Sequence, residues 1–193
     1  RDWSSDVCSS DLLLGPAAVA AYSIAHNLET TLFMAGLGLA IATGVRAGGA
    51  AGAERGGEAA FAGWTGLGAA AAMMGLLGGL LWLNADAVAR LYTDDAAVAG
   101  DAAALLAVVA AIIVPHGMQI VMGQCNRALG DAFAASSLYF VAYWGVLTPL
   151  AWALAFPGGL GAEGLIWATG AGAAVSVVLQ GARFRALSAR IGG

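Results

Sequence analysis

One acidic residue interrupts a long apolar stretch near the beginning of the chain. Between Asp11 and Arg46 the only formally charged side chain is that of Glu29. A charge at the centre of a membrane helix costs about 2.5 to 3.5 kcal/mol on insertion scales, so such a residue is a functional candidate by default. Four further side chains share its helical face: Tyr22, His26, Thr30 and Phe33.

This face combines a carboxylate, an imidazole, a hydroxyl group and two aromatic rings. The combination suits an organic cation, which pairs with the carboxylate and is attracted to the faces of the rings. It also suits proton exchange, because a carboxyl group and an imidazole both bind and release protons. The alternative is a packing role, in which Glu29 bonds to His26 or to a neighbouring helix.

A second group of polar residues lies in the segment "VPHGMQIVMGQCNRALGD". Its proline predicts a kink near mid-membrane that turns backbone carbonyl groups toward a cavity. Helical spacing then places His116 and Gln119 on one face, followed by Gly123 and either Asn126 or Arg127. The alternative is that His116 is a core residue whose hydrogen bonds are satisfied by its neighbours.

The composition restricts where such residues can lie. Of the 193 residues, 60% are hydrophobic and 10% are charged, whereas soluble domains carry about 25% charged residues. This balance indicates a membrane protein. We therefore expect membrane lipid around the chain and no nucleic-acid partner.

Charged residues divide the chain into five long stretches with few or no charges. Each is close to or longer than the roughly 20 apolar residues that span a bilayer as a helix. Glycine, proline and asparagine near the borders support this division. We therefore predict an all-α polytopic membrane helix bundle with five transmembrane helices, over about residues 16–45, 59–84, 98–125, 132–156 and 161–182.

The arginines predict the orientation of these helices. One set of alternating loops, with the C-terminal tail, holds six of them: Arg46, Arg55, Arg127, Arg183, Arg185 and Arg190. The other loops hold only Arg90. Because arginine and lysine are retained on the cytoplasmic side, we expect a cytoplasmic C-terminus.

The first residues, "RDWSSDVCSSDL", differ in character from everything that follows. Their aspartates precede the apolar run, which is the wrong order of parts for a secretory signal peptide. The stretch resembles a translated sequencing adapter. We therefore expect residues 1–12 to be non-native and residues 13–193 to be the protein, with further helices missing upstream.

Five segments in order carry a resemblance to a known family: "GVRAGGAAGAERGGEA", "ARLYTDD", "RALGD", "YWGVLTPLAWALAFPGGLGAEGLIWATG" and "ARFRAL". Their succession and spacing resemble the C-terminal lobe of the multidrug and toxic compound extrusion (MATE) transporters, over nearly all of residues 13–187. The resemblance implies a parent of twelve transmembrane helices in two six-helix lobes, of which this chain supplies the last five helices.

The same resemblance implies a function. The family exports organic cations and drugs by antiport against H⁺ or Na⁺, so the expected partners are small organic cations and the missing N-terminal lobe, in a bacterial inner membrane. In Na⁺-coupled members an acidic residue stands where an ungapped match places His116. Imidazole is a poor ligand for a hard cation. The departure favours coupling to H⁺, or coupling through the absent lobe.

Other classes of function have less support in the sequence. No serine context suits a membrane protease, and no His, Cys or acidic spacing predicts a metal or cofactor site, so we expect no enzyme. A flippase for lipid-linked glycans, from the same superfamily, is the closest alternative. Its anionic substrate calls for several Arg or Lys in the cavity, whereas these arginines lie at span boundaries or in loops. An accessory membrane subunit without transport activity is the remaining alternative.

Overall fold

The computed structural model describes residues 16–191, so the adapter-like segment, residues 1–12, lies outside the described part of the chain. Within that part the chain forms six α-helices and one π-helical turn. In chain order these are α1 (Pro16–Gly52), α2 (Gly56–Tyr92), α3 (Ala96–Ala128), α4 (Ala132–Ala142), the π turn (Tyr143–Leu147), α5 (Thr148–Ala155) and α6 (Gly161–Ser188).

The prediction of an all-α membrane bundle is confirmed. Five helical segments are long and apolar enough to cross a membrane, with α4, the π turn and α5 together forming the fourth segment, Ala132–Ala155. Residues 16–191 contain no strand. The chain is therefore part of a multi-pass membrane protein.

The helices extend further than the charge pattern predicts. Both α1 and α2 are 37 residues long, or about 55 Å, whereas the apolar core of a bilayer is about 30 Å thick. Helix α2 continues past Asn84, where the sequence suggests an end, but its backbone is kinked there (φ −124, ψ 18). Charged residues thus limit the apolar part of a span and not the helix itself.

Helix α3 occupies the centre of the bundle, in contact with α1, α2 and α6. Half of its most apolar segment is buried, compared with 11% in the fourth span. A close approach makes this possible: a Cβ on Gly36 of α1 would lie 3.6 Å from the Cα of Gly117 of α3. Met74 of α2 fills the remaining space beside both glycines and is fully buried.

The π turn accommodates a proline in the fourth span. Pro149 has no N–H, and its ring conflicts with the carbonyl group four residues earlier. In the preceding turn the Thr148 N–H donates to the Tyr143 carbonyl, five residues back, and the Thr148 hydroxyl donates to the same oxygen at 3.1 Å. A proline inside a span predicts that the helix bends and does not end; at Pro149 the structure inserts a π turn and the span continues to Ala155.

Contacts between distant segments gather the arginine-rich loops at one end of the bundle. Arg183 near the end of α6 donates through Nε to Oδ2 of Asp131, before α4, at 2.6 Å. Gly56 at the start of α2 lies against Ile191. We call this the basic end, defined by Arg55, Arg127 and Arg183.

Candidate functional site

The centre of the site is a contact between a carboxylate of α1 and an imidazole of α3. Oε1 of Glu29 lies 3.0 Å from Nδ1 of His116, so the two form a salt bridge when the imidazole is protonated. The Glu29 side chain is 16% exposed and that of His116 is 8% exposed. The two strongest candidates from the sequence therefore face each other in a largely buried position.

His26 is a second and looser partner of the same carboxylate. Its Nδ1 lies 3.6 Å from Oε2 of Glu29, and its side chain is 63% exposed. The Tyr22 ring stacks on the His26 ring, with centroids 5.9 Å apart and planes at 4°. The packing alternative named His26 or a neighbouring helix as the partner of Glu29, and the closer contact is with the neighbouring helix.

A cavity of about 330 Å³ opens beside this pair, and we call it the acidic cavity. Six of the seven residues singled out from the sequence line it: Tyr22, His26, Glu29, Thr30, Phe33 and His116. Its other lining residues are Met34, Tyr143, Ile166 and Thr169. The Thr30 hydroxyl donates to the His26 carbonyl in its own helix at 2.9 Å, so its oxygen remains free to accept a bond from a ligand.

Gln119, the seventh residue, lies outside the acidic cavity but acts on its wall. It is 2% exposed, and its Nε2 donates to the Tyr143 hydroxyl at 2.9 Å. Because the Tyr143 oxygen accepts this bond, its own proton can be donated to a ligand. Gln119 therefore orients a hydrogen-bond donor that faces the acidic cavity.

Tyr143 was not among the residues predicted from the sequence. A signal was present, because Tyr139 and Tyr143 are four residues apart in an uncharged span, and their rings are 6.0 Å apart in the structure. Tyr143 is also the first residue of the π turn, whose extra residue changes the direction of the side chains around it. A sequence pattern with an α-helical period cannot supply that direction.

A second cavity, of about 580 Å³, adjoins the first and extends toward the basic end. Phe33 and Tyr143 line both cavities. Aromatic rings dominate the wall of the second, which we call the aromatic cavity: Phe33, Tyr139, Phe140, Tyr143 and Trp144. Its polar lining residues are Gln119, Gln124, Arg127 and Ser136.

The sequence offered Asn126 and Arg127 as alternatives on the polar face of α3, and the structure places their side chains in different surroundings. Arg127 lines the aromatic cavity, with its guanidinium 5.7 Å from the centre of the Tyr139 ring. Asn126 points to α6, where its Nδ2 donates to the carbonyl and the Oε1 of Gln180 at 3.0 and 2.8 Å. Gln180 in turn donates to the Ala135 carbonyl, so this second group holds α3, α4 and α6 together.

The site has no arrangement of metal ligands: within residues 16–191, no three His, Cys, Asp or Glu side chains are grouped so that they could hold a metal ion. The arrangement can instead bind a cation at Glu29, exchange a proton at the Glu29–His116 pair, and hold flat apolar groups against aromatic rings.

Comparisons with known proteins give a consistent result. The family model described as MatE matches residues 7–153. A probable multidrug resistance protein NorM of Burkholderia pseudomallei (strain K96243) is 37% identical over 185 residues, which are 93% of this chain and 40% of that protein. One of the same name from Xanthomonas axonopodis pv. citri is 36% identical over 180 residues, 92% of this chain and 39% of that protein.

A solved structure agrees with the fold. The crystal structure of the eukaryotic MATE transporter AtDTX14 superimposes with a TM-score of 0.82 at 16% identity, over 91% of this chain and 40% of that one. The chain thus spans about two fifths of the length of these relatives.

Proposed function

The chain belongs to the MatE family, and on that premise we propose that it forms the C-terminal lobe of a multidrug efflux transporter that exports organic cations in exchange for protons. The relatives reported above are named as multidrug resistance proteins and a transporter, and the chain is accordingly not an enzyme. The transporter would lie in the bacterial inner membrane with the basic end in the cytoplasm.

The Glu29–His116 pair carries this proposal. A carboxylate that is only 16% exposed, in a cavity bordered by Tyr22, Phe33 and Tyr143, offers one negative charge to a cation among aromatic rings. A hydrated inorganic ion gains little from such walls, whereas an organic cation gains charge pairing, ring contact and removal of its apolar surface from water.

The pair also explains how export and proton uptake can be linked. With a protonated His116 next to an ionised Glu29 the pair is neutral overall. An organic cation that binds to Glu29 repels the positive imidazole, which releases its proton. The positive charge next to Glu29 is therefore either a proton or a substrate, and one replaces the other in each cycle.

The side chains that line the acidic cavity favour H⁺ over Na⁺ as the coupling ion. Na⁺ is a hard cation that prefers several oxygen ligands, whereas the residues that line the acidic cavity include one carboxylate and two imidazoles. A carboxylate and an imidazole can each take up and release a proton, so these residues suit the exchange of H⁺.

Drug resistance in cells tests the role of Glu29. In the full-length transporter, Glu29→Gln should abolish resistance while the protein remains in the membrane. The control is Glu58→Gln, which removes an acid that is 60% exposed and bonded to Arg55 in the loop before α2. Resistance that survives Glu29→Gln would exclude Glu29 as the cation-binding group.

Transport in membrane vesicles tests the coupling ion. An imposed pH gradient should drive uptake of a fluorescent organic cation without Na⁺, and an Na⁺ gradient at equal pH should not. Uptake that follows the Na⁺ gradient and ignores the pH gradient would contradict proton coupling and leave cation export intact.

A further inference from the structure

The wall of the aromatic cavity carries a positive charge, that of an exposed arginine at the basic end. Arg127 lines it, and within residues 16–191 no Asp or Glu side chain forms a salt bridge with this arginine. By contrast, Arg55 and Arg183 at the same end each pair with an acid. Among the described residues, Arg127 is therefore a cation without an acidic partner on the wall of a cavity.

Neighbouring side chains hold the Arg127 guanidinium in a defined position. Its Nη1 donates to Oε1 of Gln124 at 3.2 Å, and the group lies 5.7 Å from the centre of the Tyr139 ring. Both contacts are to uncharged groups, so they orient the guanidinium without neutralising it. A guanidinium carries five N–H donors, and most of them remain available to a ligand.

The side chain also lies back along its helix, away from the end of α3. A Cβ on Gly123 would be 3.6 Å from Nη1 of Arg127, which places the charge one helical turn before the Cα of that residue. Gly123 and His116 are seven residues apart in α3, which corresponds to a rise of about 10 Å. The positive charge of Arg127 and the negative charge of Glu29 therefore stand at opposite ends of two adjoining cavities.

We propose that the aromatic cavity is a second ligand subsite, in which Arg127 binds the carboxylate or sulfonate of a flat aromatic compound. The acidic group would form charge-assisted hydrogen bonds with the guanidinium, and the ring system would lie against Tyr139, Tyr143 and Phe33. This inference rests on the proposed function, because it assumes that ligands reach these cavities. It assigns the recognition of an anionic group on an aromatic ligand to Arg127.

Binding of a matched pair of dyes to the purified full-length transporter tests the proposal. A rhodamine methyl ester is an aromatic monocation, and its free acid differs by one carboxylate. Both should bind to the wild-type protein. Arg127→Gln should weaken binding of the free acid by about tenfold, or roughly 1.4 kcal/mol, because the variant loses a charge-assisted hydrogen bond, and should change binding of the ester by less than about twofold.

Two matched variants separate recognition from a general charge effect. Arg185→Gln removes an exposed arginine in the last turn of α6, at the same end but outside the cavity lining, and should change neither dye. Arg127→Lys keeps the charge and loses the planar fork, so binding of the free acid should be intermediate.

A competitor provides a measurement that needs no variant. Naphthalenesulfonate, a flat aromatic anion, should displace the free acid from the wild-type protein, whereas the same concentration of a neutral naphthalene should not. Equal displacement by both compounds would show that the ring alone is recognised and would overturn the assignment of Arg127.

The outcomes also distinguish this proposal from cation export. If Arg127→Gln weakens binding of both dyes equally, or of neither, Arg127 does not recognise the anionic group, and the subsite is excluded. If the ester binds to the wild-type protein and the free acid does not, the subsite is likewise excluded while cation export stands. If Glu29→Gln leaves the ester unaffected but Arg127→Gln still weakens the free acid, the subsite stands and the role of Glu29 fails.

Discussion

At the scale of single residues, Glu29 and His116 act as one unit although they are far apart in the sequence. The 3.0 Å contact between them makes the charge state of each depend on the other. If a bound organic cation expels the His116 proton, the affinity for the cation is thermodynamically linked to the release of that proton. This relation can be measured directly.

We expect cation binding to release a proton in the wild-type protein but not in His116→Asn. Asparagine can still donate a hydrogen bond to Glu29 but cannot titrate. Because binding releases a proton, the affinity of the wild-type protein should rise as pH rises, by up to about tenfold per pH unit, and the variant should lose this slope. Dye titrations in weakly buffered solution measure both quantities. A variant that releases as many protons as the wild-type protein would place the exchanged proton on another group.

Gln119 and Tyr143 form a second pair, and we expect their hydrogen bond to contribute to the free energy of unfolding. Tyr143→Phe removes the partner of a buried Nε2, while Oε1 of Gln119 already has no partner within residues 16–191. A buried polar group without a partner costs about 1 to 3 kcal/mol. Tyr143→Phe should therefore lower the free energy of unfolding by that amount, but by much less in a Gln119→Met background. Thermal unfolding of the four proteins gives the coupling, and equal losses in both backgrounds would show that the bond contributes nothing.

Only some of the residues of the site could be predicted from the sequence. Glu29 stands out because no other charge occurs for many residues on either side, and His116 because histidine is rare in such segments. Their contact depends on how α1 and α3 align, which is set by the approach of Gly36 to Gly117 and not by any local pattern. The sequence leaves open whether Asn126 or Arg127 continues the polar face of α3, because the position of Arg127 near the helix end does not reveal that its side chain lies back along α3.

At the scale of helices, the fourth span is the element whose geometry the site depends on most. Its π turn begins at Tyr143 and is followed by Pro149, so the proline and the position of the Tyr143 hydroxyl are linked through the helix. The span is also the least buried of the five, which leaves it the fewest contacts to correct a change in its own geometry.

Pro149→Ala should weaken substrate binding without weakening the fold. Alanine supplies the missing N–H and removes the ring, so an ordinary α-helix can replace the π turn and rotate Tyr143 away from Gln119. The helical hydrogen bond that alanine restores should offset the loss of the Gln119–Tyr143 bond, so we expect little change in thermal stability, whereas dye affinity should fall by about tenfold, or roughly 1.4 kcal/mol. Unchanged affinity would show that the π turn is held by its surroundings and not by the proline.

The junction of α1, α2 and α3 predicts a different kind of sensitivity. A Cβ on Gly117 would overlap Met74, whereas a Cβ on Gly75 of α2 would meet nothing within 4 Å. Gly117→Ala should therefore lower stability by about 1 to 3 kcal/mol through overpacking, and Gly75→Ala should not. Unfolding midpoints of the two variants provide the comparison. Equal midpoints would mean that Met74 moves aside at no cost.

The number of spans was predictable because charges are expensive in a bilayer, so every long uncharged stretch is a span. Helix ends were not, because a helix that leaves the membrane continues in water as long as its backbone bonds are satisfied. Arg90, for example, follows the expected end of the second span but lies within α2. The π turn could not be predicted from the sequence either, because a proline can be accommodated by a kink or by an inserted residue.

At the scale of the whole molecule, the contact between Asp131 and Arg183 joins two distant parts of the chain at the basic end. Arg183 reaches Oδ2 of Asp131 through both Nε and Nη2. Because the Arg183 side chain is 39% exposed, solvent screens the pair, and its contribution to stability is expected to be no more than about 1 kcal/mol. We expect the pair to act chiefly by fixing the start of α4 against α6.

Exchanging the two charges tests that role. Asp131→Arg alone places two arginines together and should lower both stability and the amount of transporter in the membrane. The double exchange, Asp131→Arg with Arg183→Asp, restores an ion pair and keeps the same number of arginines at this end. It should recover most of the loss. A double variant as impaired as the single one would show that the direction of the pair matters more than its presence.

The burial of Met74 has a further chemical consequence. Its thioether is fully buried between two glycines of neighbouring helices, whereas Met34 beside the acidic cavity is 54% exposed. Peroxide converts an accessible methionine into the polar sulfoxide. Met34 should be oxidised at once, and Met74 only when α1 and α3 separate from α2. The rate at which Met74 gains one oxygen atom, read by mass spectrometry, therefore measures how often α1 and α3 separate from α2.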